Sequence, residues 1–408
     1  MAPQGRKHPL TGTYHQGDIR MRKILAVLLL TCVGWATPAL AKETIKIGAI
    51  LGVTGPAANL GGPEARTLEM LVQEINKKGG IKGNPVELII KDSSASPEKA
   101  ISFAKQLIDE EKVFAIIGPS TSGETMKIKS LAEDGKTILL SCAAAEAIVK
   151  PVGGYVFKTP QNDSHAVRKI YDQMKKAGIS KIGVVSSNTG FGKAGKEQLE
   201  RLASEYGITI IANEVYDKEA TDLTAVVTKL KAAGVQAFVN WSIEPAQAIV
   251  IKNARQIGLE IPIFESHGFG NIQYVKAAGP AAEGVIFPAG RLLVAESLPA
   301  DNKQKTLLTK YKKDYEARFH EDASTFGGHA YDAFTILVKA IETAGLDKEK
   351  VRTAIESLQG FVGTAGIFNF SAQDHNGLAL DAFEMLTVRN GRFVPYAEPA
   401  AHSGSKKK

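Results

Sequence analysis

Two short loops carry the residue types best able to hold an anion. Gly118-Pro119-Ser120-Thr121-Ser122-Gly123 lies between an apolar run and a helical pattern, and Ser141-Cys142-Ala143-Ala144-Ala145 follows the next apolar run. Small side chains let main-chain N–H groups and hydroxyls face a negative group at a helix N-terminus, where the helix dipole favours it. Ser or Thr here could equally be a plain helix cap. In a doubly wound sheet, however, neighbouring loops at the carboxyl ends of strands converge on the ligand crevice, so the pair together points to an anion site.

A third motif, Gly190-Phe191-Gly192-Lys193-Ala194-Gly195, matches GxGxxG between a strand and a helix, with Glu214 near the distance of a ribose-binding acid. Taken alone it suggests an NAD-dependent enzyme, and that stays as a rival. Against it, Ser187, Asn188 and Thr189 intervene before the first glycine and the unit lies mid-chain, so a flexible loop at a cleft mouth is preferred. Other enzyme signatures are missing. His165, His267, His320, His329, His375 and His402 show no HExxH or Cys/His metal spacing, and there is no GxSxG. SxxK occurs at Ser96 and again at Ser102, which marks it as a cap or a solvated face. His329 reads as a satisfied core or interface histidine. No catalytic residue, metal or cofactor is expected.

The elements that must position these loops alternate regularly. Apolar β-rich runs at Ile45–Leu51, Val86–Lys91, Val113–Ile117, Ile138–Leu140, Ile182–Ser186, Ile208–Val215, Ala237–Trp241 and Ile261–Phe264 are separated by helical patterns. Short strands that are apolar on both faces imply parallel sheets covered by helices, the α/β class. One helix is expected from Pro63 to Lys78, ended by Gly79-Gly80, and another opening at Glu244-Pro245 and stopping at Gly258. Four strand–helix units precede about Thr159 and four more run from Lys181 to Phe287, so the chain reads as two similar halves. A helical region then covers Lys303–Phe319, Thr325–Ala344 and Lys348–Leu358, before β-like segments at Phe361–Phe370, Ala382–Val388 and Arg392–Pro395. No Pro- or Ser-rich linker divides the halves, which implies several short crossings and not one tether.

Composition narrows the function. The net charge of +7 comes largely from the ends: without the five basic residues and one acid before Lys42, 45 basic residues face 42 acidic ones, and three of the former are Lys406, Lys407 and Lys408. Nothing here resembles a nucleic-acid footprint. The apolar run Ile24–Cys32, preceded by Met21-Arg22-Lys23 and followed by Ala39-Leu40-Ala41, has the form of a cleaved secretory signal, too short to span a bilayer. Met21 is a plausible true start. Leu29-Leu30-Thr31-Cys32 resembles a lipobox, but cleavage near Ala41 fits better. Only Cys142 then survives, so no intrachain disulfide forms and stability rests on the core. The mature chain exceeds the roughly 250 to 300 residues at which one core stops growing, so two domains are expected.

Ile47-Gly48-Ala49-Ile50 running into Val53-Thr54-Gly55-Pro56, then Ile75-Asn76-Lys77-Lys78-Gly79-Gly80-Ile81-Lys82-Gly83 and Ile117 to Ser122, resemble the Leu/Ile/Val-binding protein family, the type I periplasmic solute-binding proteins of ABC importers. Gly190-Phe191-Gly192, Ala281 to Gly284 and Phe361 to Gly366 also fit, and the match spans Glu43 to about Tyr396. The resemblance implies two Rossmann-like lobes with parallel-rich sheets, joined by three crossovers and closing over one ligand. It also implies a periplasmic, monomeric protein whose closed form docks on permease subunits in the inner membrane. Lobe 1 is expected over 42–159 and 289–365 and lobe 2 over 160–288 and 366–398, after an extension and signal over 1–41 and before a disordered tail over 399–408.

Carried onto this chain, the family's carboxylate site falls on Ser122, the main chain of Ala143, and Ala145, which stands where a threonine often supplies a hydroxyl; the ligand carboxylate is expected to be met by the loops Ser120, Thr121, Ser122 and Ala143, Ala144, Ala145. Where amino-acid-binding members hold an ammonium with Tyr and Glu, this chain has Ile243 and His267, although Glu244 and Glu265 are close by. A buried ammonium without an anionic partner costs several kcal/mol. Leu60, Phe191, Trp241 and Phe326 are expected to line the cleft around the ligand's body, with His267 meeting any distal hydroxyl. The turns Ser266-His267-Gly268 and Ser324 to His329 resemble a subgroup that takes aromatic acids such as hydroxybenzoates or cinnamates. An aromatic acid or other non-amino carboxylate is therefore the favoured ligand, with branched-chain amino acids as the alternative. A ligand sensor that signals to a receptor is a remoter alternative.

Overall fold

The computed structural model describes residues 42–397 and, before them, residues 1, 4–6, 8–10 and 12. The signal-like stretch and the lysine-ended tail lie outside the described residues. Residues 44–397 form one compact unit built on two sheets and a small hairpin.

The first sheet has the order β2-β1-β3-β4-β5, formed by Ile45–Leu51 (β1), Val86–Asp92 (β2), Ala115–Ile117 (β3), Ile138–Ser141 (β4) and Val156–Lys158 (β5). All its pairings are parallel. The second has the order β14-β13-β10-β9-β8-β6-β7, formed by Lys181–Ser187 (β6), Thr209–Tyr216 (β7), Ala237–Trp241 (β8), Ile263–Glu265 (β9), Ile286–Ala289 (β10), Glu384–Arg389 (β13) and Arg392–Pro395 (β14). It is parallel from β7 to β10, and β13 and β14 add an antiparallel edge. Phe361–Val362 (β11) and Ile367–Phe368 (β12) make a small hairpin. Ile47, Ile116, Leu139, Val184 and Val239 are fully buried, as central strands covered on both faces require.

Each sheet has its own core, so the expected pair of α/β lobes is present. The chain crosses from the first sheet to the second after β5, returns after β10 and crosses again before β13, giving three connections. Phe368, Phe370, Leu378 and Ala382 pack in the first lobe's cluster and Phe383 and Leu386 in the second's. These placements favour a third boundary near 382 over the expected 366. We propose lobes of 44–159 with 290–382, and 160–289 with 383–396.

The helix expected from Pro63 begins earlier and spans Ala58–Lys77, with Pro63 inside it. Its Gly61-Gly62-Pro63 is a packing feature and not a start signal: a Cβ on Gly61 would lie 2.4 Å from the main chain of Gly52, so the helix crosses the end of β1 only with glycine there. The helix expected from Glu244-Pro245 spans Ala246–Gln256, with Pro245 just outside as its cap.

Fully buried Asp332 staples the long helix Thr325–Ala344 to the hairpin region. Its carboxylate accepts from Thr364 N at 2.6 Å, Thr364 Oγ1 at 3.0 Å and Ala365 N at 2.8 Å, while burial pushes its pKa up to about 7. Truncation strands two amides and a hydroxyl in the interior. Asp332→Ala is expected to lower unfolding free energy by about 3 to 5 kcal/mol, read by denaturant melts followed by circular dichroism; a change below about 1 kcal/mol would contradict the staple.

Candidate functional site

The two anion-type loops lie at the carboxyl ends of β3 and β4, side by side as their adjacency in the sheet requires. The helix after the first, Ser122–Asp134, is capped by Thr121, whose Oγ1 accepts from Glu124 N at 3.4 Å and donates to the Glu124 carboxylate at 2.6 Å. Ser122 Oγ accepts from Ala145 N at 3.2 Å, and Ser141 Oγ accepts from Ala143 N at 3.1 Å. The amides of Ala143 and Ala145 are thus spent on serine oxygens. First-turn amides have no intrahelical acceptor, so the Ser122 amide, together with the Ser122 hydroxyl hydrogen, is among the donors this corner can offer.

A narrow inner cavity lies between the lobes. Leu60, Ser120, Ser122, Ala143, Ala144, Phe191, Ile243, His267 and Phe326 line it, nine of the twelve residues expected at the site. Thr121 lies instead on the mouth outside it, with Gly123, Glu124, Thr189, Gly190 and Glu244. Ala145 lines neither space and is buried in a first-lobe cluster. Trp241 is fully buried behind the wall, its ring 5.7 Å from Phe191 and 5.6 Å from His267, so it supports the lining without forming it.

Sequence reasoning missed Cys142, Pro160, Gly268 and His329, which also line the cavity. His329, expected as a satisfied core or interface histidine, is buried on the cavity wall between the lobes, but it is not fully satisfied, its Nδ1 having no partner. The available signal was helical spacing, because Phe326 and His329 are three apart on Thr325–Ala344 and share a face. His267 is likewise buried with neither ring nitrogen bonded. Its Nε2 is 3.6 Å from Asp163 Oδ1, beyond hydrogen-bond reach. Burial, with buried Lys158 adding to it, holds His267 well below the usual imidazole range and His329 down to about 3. Both rings are neutral at physiological pH.

Among the described residues, no Asp or Glu lines the inner cavity. Glu265 faces away, accepting from Asn240 Nδ2 at 2.9 and 3.1 Å. Glu244 lines the mouth, tied to Ser242 Oγ at 2.6 Å.

The lobes meet in direct contact. Leu60, Ala144 and Phe326 of the first lobe join the second lobe's core cluster, and Asn271 Nδ2 donates to Asn59 O at 2.8 Å. Thr325 N donates to Gly270 O at 3.2 Å. At the mouth, helix Ser122–Asp134 meets helix Gly190–Leu202, where a Cβ on Gly190 would fall 2.7 Å from Gly123 Cα. The other glycines of the GxGxxG motif are also packing sites: a Cβ on Gly192 would strike Ser187 O at 2.0 Å and one on Gly195 the Trp241 ring at 2.1 Å. Nothing in that arrangement requires a dinucleotide.

Residues 44–391 match the periplasmic binding protein family. The chain belongs to that family. Among its relatives, the Leucine-, isoleucine-, valine-, threonine-, and alanine-binding protein of Pseudomonas aeruginosa is 27% identical over 348 residues, covering 84% of this chain and 89% of the relative. An extracellular ligand-binding receptor from Rhodopseudomonas palustris HaA2 superposes with a TM-score of 0.81 at 27% identity, covering 86% of this chain and 99% of that one. The branched-chain amino acid transporter substrate binding protein LivJ from Streptococcus pneumoniae, in complex with isoleucine, superposes with a TM-score of 0.76 at 26% identity, covering 86% and 98%. As a periplasmic binding protein of the Leu/Ile/Val-binding kind, the chain is a solute-binding protein and not an enzyme. Its cleft holds a small ligand and breaks no bond.

Two outcomes follow for this periplasmic binding protein. Gly190→Val keeps each lobe's core but holds the mouth apart, so ligand affinity should fall about tenfold to a hundredfold with little change in melting temperature; calorimetry showing unchanged affinity would refute the contact's role. Second, His329 is neutral when folded and protonates near 6.5 when unfolded, so its contribution is fully present above that value and is lost as pH falls. Between pH 6.5 and about 5, wild type should lose about 2 kcal/mol relative to His329→Gln, measured by urea melts at each pH.

Proposed function

We propose that this periplasmic binding protein captures a small carboxylate without an amino group, an aromatic acid above all, and presents it in closed form to an ABC permease of the inner membrane. One observation carries the reading: the inner cavity offers amides, hydroxyls and two neutral imidazoles but no acidic side chain. A ligand carboxylate finds donors at Ser122 and the first turn of its helix, and an aromatic body meets Leu60, Phe191, Ile243 and Phe326. An α-ammonium placed among the same groups would have no anionic partner and would cost several kcal/mol.

A second reading, binding of branched-chain amino acids, draws on the relatives named for such binding and on Glu244, a carboxylate at the mouth beside Ile243. In that reading Glu244 meets the ammonium. The proposed site comprises Ser120, Ser122, Ala143, Ala144, Leu60, Phe191, Ile243, His267 and Phe326, with Thr121 and Ala145 shaping the loops and Trp241 backing the wall. The protein acts as an exported periplasmic monomer.

Calorimetry on protein freed of bound ligand by unfolding and refolding decides between the readings. Benzoate, 4-hydroxybenzoate and cinnamate should bind at micromolar or lower Kd, and leucine, isoleucine and valine at least about a hundredfold more weakly, the cost of an unpaired buried charge being several kcal/mol. Tight leucine binding that Glu244→Gln abolishes would establish the second reading instead.

A further inference from the structure

Glu64 is fully buried where helix Ala58–Lys77 passes beneath the first anion-type loop. Its Oε2 is hydrogen-bonded to Ser120 Oγ, and its Oε1 has no partner. Ser120 lines the inner cavity, and the same Oγ accepts the Gly52 amide at 3.1 Å. A hydroxyl has one hydrogen to donate and two positions to accept. With Gly52 occupying one acceptor position, the state of Glu64 decides where the hydrogen goes. Ionised Glu64 can only accept, so it takes the Ser120 hydrogen and leaves the cavity facing a serine oxygen with a buried negative charge behind it. Protonated Glu64 donates instead, filling the second acceptor position of Ser120 Oγ, and the serine hydrogen is free to point at a ligand.

We infer that Glu64 is a positioning residue that, when protonated, turns the Ser120 hydroxyl into a donor for the ligand's carboxylate, so that capture of the anion is coupled to one proton on Glu64. The inference rests on the proposed reading that a carboxylate occupies the inner cavity.

The surroundings of Glu64 favour the neutral form. Burial is the largest influence, the Ser120 hydrogen bond opposes it, and Glu124 from helix Ser122–Asp134 adds repulsion, leaving its pKa raised to about 8. The Cys142 thiol, after β4, feels the charge of Glu64 and of Asp332 from helix Thr325–Ala344. Arg66, on Glu64's own helix, is directed to Tyr315 and Glu321. An incoming carboxylate repels an ionised Glu64 and needs the hydrogen that ionised Glu64 would hold, so both effects act in the same direction.

The test is calorimetric titration of the whole protein with benzoate and, separately, with leucine from pH 6 to 9.5, in pairs of buffers of different ionisation enthalpy. Wild-type affinity for whichever carboxylate binds should be level below about pH 7.5 and fall about tenfold per pH unit above Glu64's value, with proton uptake approaching one per ligand. Glu64→Gln, whose amide still donates to Ser120 Oγ, should keep the low-pH affinity across the range and take up no proton there. Ser120→Ala should weaken binding at pH 6 and reduce the alkaline loss. A pH profile that is the same in wild type and Glu64→Gln, with both folded by circular dichroism, overturns the coupling but leaves the carboxylate reading standing. Absence of binding by both probes at pH 6 overturns that reading and the coupling with it.

Discussion

Charge inside this protein has to be matched within the protein or by its ligand, because the lobes close on each other with apolar contacts that exclude water. In such surroundings an isolated ion costs far more than a neutral group of the same size. The inner cavity respects that constraint. Its imidazoles are pushed into the neutral form, its acids lie behind the wall or at the mouth, and its remaining polar groups are hydroxyls and amides. Dipoles of this kind stabilise an anion without carrying a full charge of their own, so they can stay buried when the ligand leaves.

The second constraint is how closely two backbones can approach. Gly61 lets a helix cross the end of β1, Gly192 and Gly195 let another lie on Ser187 and Trp241, and Gly190 lets the lobes meet at Gly123. These contacts explain a glycine pattern that imitates a phosphate-binding loop. In a dinucleotide site the glycines make room for pyrophosphate. Here that room is taken by a carbonyl, an indole and the opposite lobe.

Much of the scaffold was legible in the residues, because buried parallel strands need continuous apolar runs. Ile45–Leu51, Ala237–Trp241 and Arg392–Pro395 have the expected limits, as does the helix Thr325–Ala344. Val156–Lys158 escaped notice because a three-residue strand ending in a buried lysine has no periodicity to detect. The helix at Ala58 was placed too late because Gly-Gly-Pro reads locally as a breaker, whereas its glycine serves a tertiary contact. Most of the cavity lining was foreseen from loop chemistry and family resemblance. Thr121 was misplaced because capping and ligand binding use the same residue types, and Trp241 because an aromatic one layer behind a wall has the same sequence signature as one in it. His329 shares a helix face with Phe326, which the spacing shows, but only the approach of the second lobe makes that face a cavity wall.

The first crossing suggests how the two constraints work together. Lys158 ends β5 in one lobe and Asp163 opens a helix in the other, both fully buried. Burial disfavours charge on each, lowering the lysine and raising the aspartate, and their mutual attraction opposes both shifts. That attraction weakens with separation, so a lobe motion that pulled them apart would expose its full desolvation cost. Nearby, Gln161 Nε2 donates to Ala365 O at 2.8 Å, and Arg291 bonds Glu384 at 3.0 Å across the other two crossings. Rotation about an axis through these three connections leaves such short contacts nearly unchanged while parting Gly123 from Gly190 at the mouth. Hinge opening is therefore the low-cost motion for this architecture, and shear between the lobes the expensive one.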